Sequence, residues 1–581
     1  MNVQQMQQLA DAAAGRCEAD LVLKNCRVVN VFSKGIIEGD IALQGGFIAG
    51  IGSYTGKHER DLAGSYVLPG FIDSHVHIES SLCTPEQFAA AVIPRGTVSV
   101  VADPHEIANV CGAAGILYMI EAAGRTPLKV HFMVPSCVPA TPYETAGAEI
   151  DASMIQELLT HPKVLGLGEV MAYPQVVQGE HSILEKIAAA EALGKPVDGH
   201  GPGLSGKELS AYAASGILTD HECAAPEELL ERIDRGMYVL LREGSAAKDL
   251  LNLLKGVTPD NAHRCLLCTD DRQPEDLLAA GHIDNHLRLA VSAGIDPVTA
   301  VQMATINSAN CYGLTRQGAV APGYRADLVV VDDLQDFAPR QVYIDGILRA
   351  QDGELIEPIQ TGSFAQVTGT MHAQQILPKQ LALKIPSETV RVIGLHGGSL
   401  VTTQVIRKVR RDAEGCFAYD AEKDICKLAV VERHHRSGNI GIGLIEGYGL
   451  KGGAIALSIS HDSHNIIAAG DSDADIARAV NRVIELQGGI VLISRGETAG
   501  ELALPVAGLM SDLPADQVRN AVRTIEQTAR STLQVTADID PVMTLSFLAL
   551  PVIPELKLTD QGLFDVVNFR HVGITPDSDH Q

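Results

Sequence analysis

Short alternating runs of apolar and polar residues open the chain. Ala19–Lys24, Cys26–Phe32, Gly39–Leu43 and Phe47–Ile51 are separated by Gly and Asp turns, the pattern of half-buried strands. Similar runs return after Thr315, at Gly318–Ala321, Ala326–Asp332 and Val342–Gly346. Two matching β segments that bracket about 250 residues predict one small domain interrupted by a larger one. Inside the bracket the pattern changes. Eight buried-looking runs alternate with amphipathic stretches such as Ser182–Leu193, which Gly194 closes. The runs are Phe71–His77, Val98–His105, Lys129–Ser136, Val164–Val170, Pro196–His200, Gly216–His221, Met237–Glu243 and Cys265–Asp271. Eight strand–helix units predict a parallel (β/α)8 barrel.

Beyond residue 360 the pattern changes again. Val390–Leu395, Ala429–Arg433, Ala454–Ser460 and Gly489–Ser494 read as strands. Ser472 offers a helix start, Ile476, Val480, Val483 and Ile484 share one face, and Gly488 and Gly489 supply the stop. The expected fold class is α/β. Residues 69–314 form the barrel, and residues 1–68 and 315–360 form a small β-sandwich domain built from both flanks. Residues 361–581 form a C-terminal α+β domain.

Composition narrows the partners. The 581 residues carry 45 Lys+Arg against 71 Asp+Glu, a net charge of −26, and 46% are hydrophobic. An acidic chain without a basic stripe argues against nucleic acid and anionic membranes. Arg407–Arg411 is a lone basic run and reads as a solvated edge. Pro541–Pro554, the most apolar late stretch, falls short of the roughly 20 residues that span a bilayer. Met1–Asp20 lacks the basic start and apolar run of a signal peptide and reads as a polar, partly helical lead-in. The 11 cysteines follow no framework, which fits a reducing cytoplasm.

The chemistry gathers where the eight runs end: His75 and His77, Asp103 and His105, Glu169, His200, His221, Asp270 and Asp271. The C-terminal ends of barrel strands carry the active site in this architecture. A single His after an apolar run is usually structural, but this many in register predict a metal site. His75 and His77 are two apart, so both imidazoles face one side and converge on one ion. His200 and His221 suit a second ion, Glu169 has the two oxygens needed to bridge, and Asp270 closes the set near the first. Imidazole with carboxylate suits Zn, Mn or Fe. Asp271 follows Asp270 directly, and on a strand it would point to the opposite side.

The motifs resemble a known family. Val67-Leu-Pro-Gly-Phe-Ile-Asp-Ser-His-Val-His is similar to the opening of the amidohydrolase superfamily. Asp103-Pro-His-Glu-Ile-Ala-Asn-Val, Gly166-Leu-Gly-Glu-Val-Met, Asp198-Gly-His-Gly-Pro, Thr219-Asp-His-Glu and Cys268-Thr-Asp-Asp-Arg resemble the prokaryotic adenine deaminases. So do Gly438-Asn-Ile-Gly and Ser460-His-Asp-Ser-His-Asn in the C-terminal part. The resemblance implies two divalent ions, Mn(II) or Fe(II), held by His75, His77, Glu169, His200, His221 and Asp270. Glu169 takes the place of the carboxylated Lys of many superfamily members. It also implies hydrolysis of adenine to hypoxanthine and ammonia, with water and adenine as partners and a homo-oligomeric enzyme.

On this reading Asp270 moves the proton, as base and then acid. Asp103, His105, Glu106 and Glu222 are the candidates to protonate the ring. Arg242 and Glu243 either contact the purine edge or form a surface ion pair. His461, Asp462 and His464 either approach the barrel mouth, covering substrate or holding an accessory metal, or form an exposed turn capped by Asp462 and Asn465. His77-Ile-Glu79 with Cys265-Leu-Leu-Cys268 mimics the small zinc deaminases, but the pairs are far apart and the second lacks its proline, so Cys265–Cys268 reads as buried strand. The rivals are a hydrolase of cyclic amides or isoaspartyl dipeptides and a non-catalytic assembly protein. The intact ligand set argues against the latter.

Overall fold

The computed structural model describes residues 1–576. Each of the eight predicted barrel runs contains a strand: β1 (Phe71–Val76), β2 (Thr97–Ala102), β3 (Lys129–Val134), β4 (Val164–Val170), β5 (Val197–Gly199), β6 (Thr219–Asp220), β7 (Tyr238–Arg242) and β8 (Cys265–Cys268). Strands β1 to β5 form one parallel sheet and β6 to β8 a second. Backbone bonds join them at both seams. Leu218 N–H donates to Val197 O at 2.9 Å, and Asp270 N–H donates to His75 O at 2.9 Å. The result is TIM-barrel-like.

The near-continuous apolar character of these strands has a simple cause: both faces are covered. Ile72, Val101, Met133, Leu240 and Leu266 share one buried cluster. Their neighbours Phe71, Val100, Phe132, Val239 and Leu267 belong to the main core shared with the helices. Strands β5 and β6 are short, and polar side chains take over from the ladder there. Asp198 accepts from Thr219 Oγ1 at 2.8 Å and from Tyr312 OH at 3.1 Å, all buried.

The flanks meet in one nine-stranded sheet. Leu328–Val331 runs antiparallel to Tyr66–Pro69, which pairs with Ala19–Asn30. The lead-in is a helix, Val3–Ala13, capped by Asn2. The C-terminal part is built on an eight-stranded sheet that contains all four strands expected there. Helix Asp473–Glu485 lies on it, its apolar face packed against Ala454, Ala456 and Val491. Ser472 Oγ accepts from Asp475 N–H, and Asp473 and Asp475 sit at the positive end of the helix. The basic run falls on the exposed edge strand Thr403–Lys408 and the residues after it. No helix among the described residues is long and apolar enough to cross a membrane, and all 11 cysteines are unpaired.

Candidate functional site

The strand ends bring the six proposed ligands together. His75 lies in β1 and His77 one residue past it, with their Nε2 atoms 3.1 Å apart. Asp270 Oδ1 is 3.1 Å from His77 Nε2 and 3.7 Å from His75 Nε2. Glu169, near the end of β4, divides its two oxygens. Oε1 is 3.4 Å from His77 Nε2, while Oε2 is 2.8 Å from His200 Nδ1 and 3.2 Å from His221 Nε2. Separations of 3–4 Å are what donor atoms adopt around an ion bound at about 2.1 Å. The imidazoles crowd one another, with the His75 and His221 rings stacked at 4.2 Å. Four imidazoles and two carboxylates, almost all buried, fit a divalent cation better than any arrangement of protons alone.

Electrostatics keep His75, Asp270 and Glu169 in ligating form, while the neighbouring carboxylates shift His77, His200 and His221 upward against burial. Burial and the neighbouring His221 and His77 rings hold His75 well below its usual range, so it is neutral. Burial opposes charge on Asp270, but His77 and Arg242 outweigh it and hold the carboxyl well below the usual range. Arg242 Nη1 donates to Asp270 Oδ2 at 2.9 Å. Glu169 is likewise held ionised against burial, by His200 and His221.

Asp103, a ring-acid candidate in the sequence, and two residues that the sequence did not mark position this set. Asp103 Oδ2 accepts from Glu169 N–H at 2.9 Å, and Gly168 makes room for it, since a Cβ there would lie 2.1 Å from that oxygen. Tyr212 OH accepts from His200 N–H at 2.9 Å and donates to Val170 O at 2.7 Å. Arg232 is fully buried and binds Asp220 Oδ2 at 3.0 Å, Gly201 O at 2.7 Å and Leu204 O at 2.9 Å, bracing the loops of His200 and His221. Arg232 sits in an ordinary amphipathic helix, Pro226–Asp234, so nothing in its sequence context sets it apart.

A cavity of about 520 Å³ opens over the cluster, within the usual range of ligand sites. His105, Glu222, Arg242 and Asp271 line its barrel side. The C-terminal part supplies the other wall: Leu400, Val401, His461, Asp462, Phe547, Leu550, Val552 and Ile553. Asp103, Glu106, Glu243 and His464 are not among the lining residues. Glu106 accepts from Ser80 Oγ at 2.8 Å and forms a separate buried group with His461 and His464. Glu243 meets its surroundings through its backbone, its O accepting from Arg272 Nη1 at 2.6 Å.

Two open alternatives close and one expectation changes. Ser460–Asn465 is not an exposed turn; all six residues are buried. Arg242 is not in a surface ion pair; it is buried among Glu222, Asp249 and Asp270. Asp271 does not point away. Asp270 adopts φ +57°, which ends the strand alternation, and Asp271 accepts from Ser80 Oγ at 2.5 Å at the cavity edge. Cys265–Cys268 is a fully buried strand, as expected.

A TIM-barrel-like fold with this cluster at its strand ends defines a metal-dependent amidohydrolase, and residues 66–348 match the amidohydrolase family. Residues 399–570 match the adenine deaminase C-terminal domain. An adenine deaminase of Nitratidesulfovibrio vulgaris (strain DP4) is 53% identical over 97% of this chain and 98% of that protein. Adenine deaminase 2 of Desulfotalea psychrophila is 50% identical over 99% of this chain and 100% of that protein. The adenine deaminase of Clostridium acetobutylicum is 48% identical over 96% and 98%. The chain belongs to the adenine deaminase family.

Proposed function

We propose that the protein hydrolyses adenine to hypoxanthine and ammonia. The likeness to adenine deaminases at about half identity, spanning both the barrel and the C-terminal wall of the cavity, carries this reading. His75, His77 and Asp270 would hold one divalent ion and His200 and His221 another, with Glu169 between them; Mn(II) or Fe(II) suits this donor set, and Zn also fits its chemistry. When bound, such ions make water a competent nucleophile at neutral pH.

The chain's own residues do the rest. Asp270, held ionised beside Arg242, takes the proton of the attacking water as oxygen bonds to C6. It returns that proton to the exocyclic nitrogen as the C6–N bond breaks and ammonia leaves. His105 supplies the ring nitrogen's proton and regains one from the water's remaining O–H as the C6 carbonyl forms. It lines the cavity, whereas Asp103 and Glu106 do not, and Glu222 is paired with Arg242. Burial disfavours the charged imidazole, yet Asp462 and Glu169 raise its pKa to about 10. Phe547, Leu550, Val552 and Ile553 cover the purine and exclude water. Residues 1–68 and 315–360 serve as one β-sandwich domain, supported by the apolar cluster that joins Leu23, Ile41, Val67 and Leu328. Residues 69–314 are the barrel domain and 361–581 the C-terminal α+β domain. The acidic charge and unpaired cysteines support a cytoplasmic enzyme with a small-molecule substrate.

The test is anaerobic loading with Mn(II), then ultraviolet loss of adenine with ammonia release. Turnover of an isoaspartyl dipeptide or cyclic amide but not adenine would reassign the enzyme.

A further inference from the structure

The loop Ser460–Asn465 belongs to the C-terminal part, yet it is buried against the barrel and reaches its chemistry. Asp462 Oδ1 lies 3.7 Å from His105 Nε2, and His105 Nδ1 lies 3.3 Å from Glu169 Oε1. A carboxylate, an imidazole and the carboxylate shared by the metal ligands thus stand in line, the first from a different part of the chain than the other two. Asp462 is 4% exposed, and its Oδ2 has no hydrogen-bond partner among the described residues. Among the described residues, the only basic side chains paired with it are the imidazoles of His105 and His461, at 3.7 and 4.0 Å. A buried carboxylate must be compensated by what faces it, and here that is principally His105.

The loop is held firmly enough to aim this group. Asn465 Nδ2 donates to Thr145 O of the barrel at 2.8 Å. His464 N–H donates to Ser460 O at 2.6 Å, and buried Arg433 binds His464 O and Ala507 O. The His461 ring stacks on Phe547 at 4.2 Å. At 3.7 Å the Asp462–His105 contact is longer than a hydrogen bond, as such contacts often are before substrate binds.

We propose that Asp462 is a positioning residue that orients His105 toward the substrate, so that the C-terminal domain completes the active site of the barrel. The inference rests on the reading of His105 as the ring acid. Asp462 does not touch the metal ligands. Its removal leaves the six donors in place but lets the imidazole turn.

The experiment is a double-mutant cycle in the metal-loaded, full-length enzyme with Asp462→Asn, His105→Gln and the pair, measuring kcat, KM and metal content. Asp462→Asn is expected to lower kcat about tenfold or more with two metals retained and KM little changed. The double variant is expected to be no slower than His105→Gln alone. A merely structural role would instead make the two losses multiply. If Asp462→Asn stays within about twofold of wild type while His105→Gln is impaired, or if the losses multiply, the positioning role is overturned and the reading of His105 stands. If His105→Gln itself is near wild type, the ring-acid assignment falls and the inference with it. Asp462→Ser, which also removes the carboxylate, takes the place of Asp462→Asn should that variant not fold.

Discussion

Glu169 presents one oxygen to His77 and the other to His200 and His221, and this division is what two ions at one site require. Glu169→Gln keeps the shape but removes the charge that holds two cations side by side. Metal content is expected to fall to about one per chain or less, with a large loss of rate; two retained metals and near-normal turnover would remove the bridging role. Asp270 tests proton transfer. Asp270→Asn is expected to lower kcat by about 10²–10⁴-fold, the scale of a positioned acid–base group. Asp271→Asn is the comparison, and it is a demanding one because Asp271 also borders the cavity. A mild Asp270→Asn beside a severe Asp271→Asn would exchange their roles. The six proposed donors were legible as a group because strand-end spacing marks them. Arg232 and Tyr212 were not, since apart from Asp220 their partners are backbone groups of other loops.

At the scale of elements, helix Asp473–Glu485 follows from local sequence. Its cap, its acidic first turn and its apolar face agree with one another, and the structure places all three as expected. Ser472→Ala leaves buried contacts intact and removes only the cap. It is expected to cost about 1 kcal/mol, read as a lowered urea midpoint with an unchanged slope. Pro541–Pro554 is the contrary case. Its apolar character was plain, but hydrophobicity alone does not say what it faces. Phe547, Leu550, Val552 and Ile553 cover the cavity because the chain returns to the barrel mouth there.

Across the whole molecule, Lys557 ties the covering segments together. It is fully buried, and its Nζ donates to Leu400 O at 3.0 Å and Phe547 O at 3.2 Å. Burial lowers its pKa from 10.5 to about 7. Below pH 7 the lysine is protonated both folded and unfolded, and folding bears the full cost of burying the charge. Above pH 7 the folded state releases the proton while the unfolded chain keeps it to about pH 10.5. Stability from this group therefore rises with pH across that window, by at most about 1.4 kcal/mol per unit. Lys557→Met lacks this contribution. Urea unfolding between pH 7 and 9 is expected to show the wild type gaining on the variant as pH rises; parallel curves would refute it.

The sequence by itself determined the strand–helix alternation, the two flanks that share a sheet, the helix at 473–485 and the set of metal-capable residues at the strand ends. These depend on periodicity, turn chemistry and spacing, all of which are local. Only the tertiary structure decided that Asp271 faces the cavity, that Ser460–Asn465 is buried, and that Asp462 stands behind His105. The first turns on one left-handed residue, Asp270, that breaks a period of two. The others join residues more than 300 positions apart, and no local pattern encodes which loop closes over a barrel when the surfaces that choose it are assembled from both.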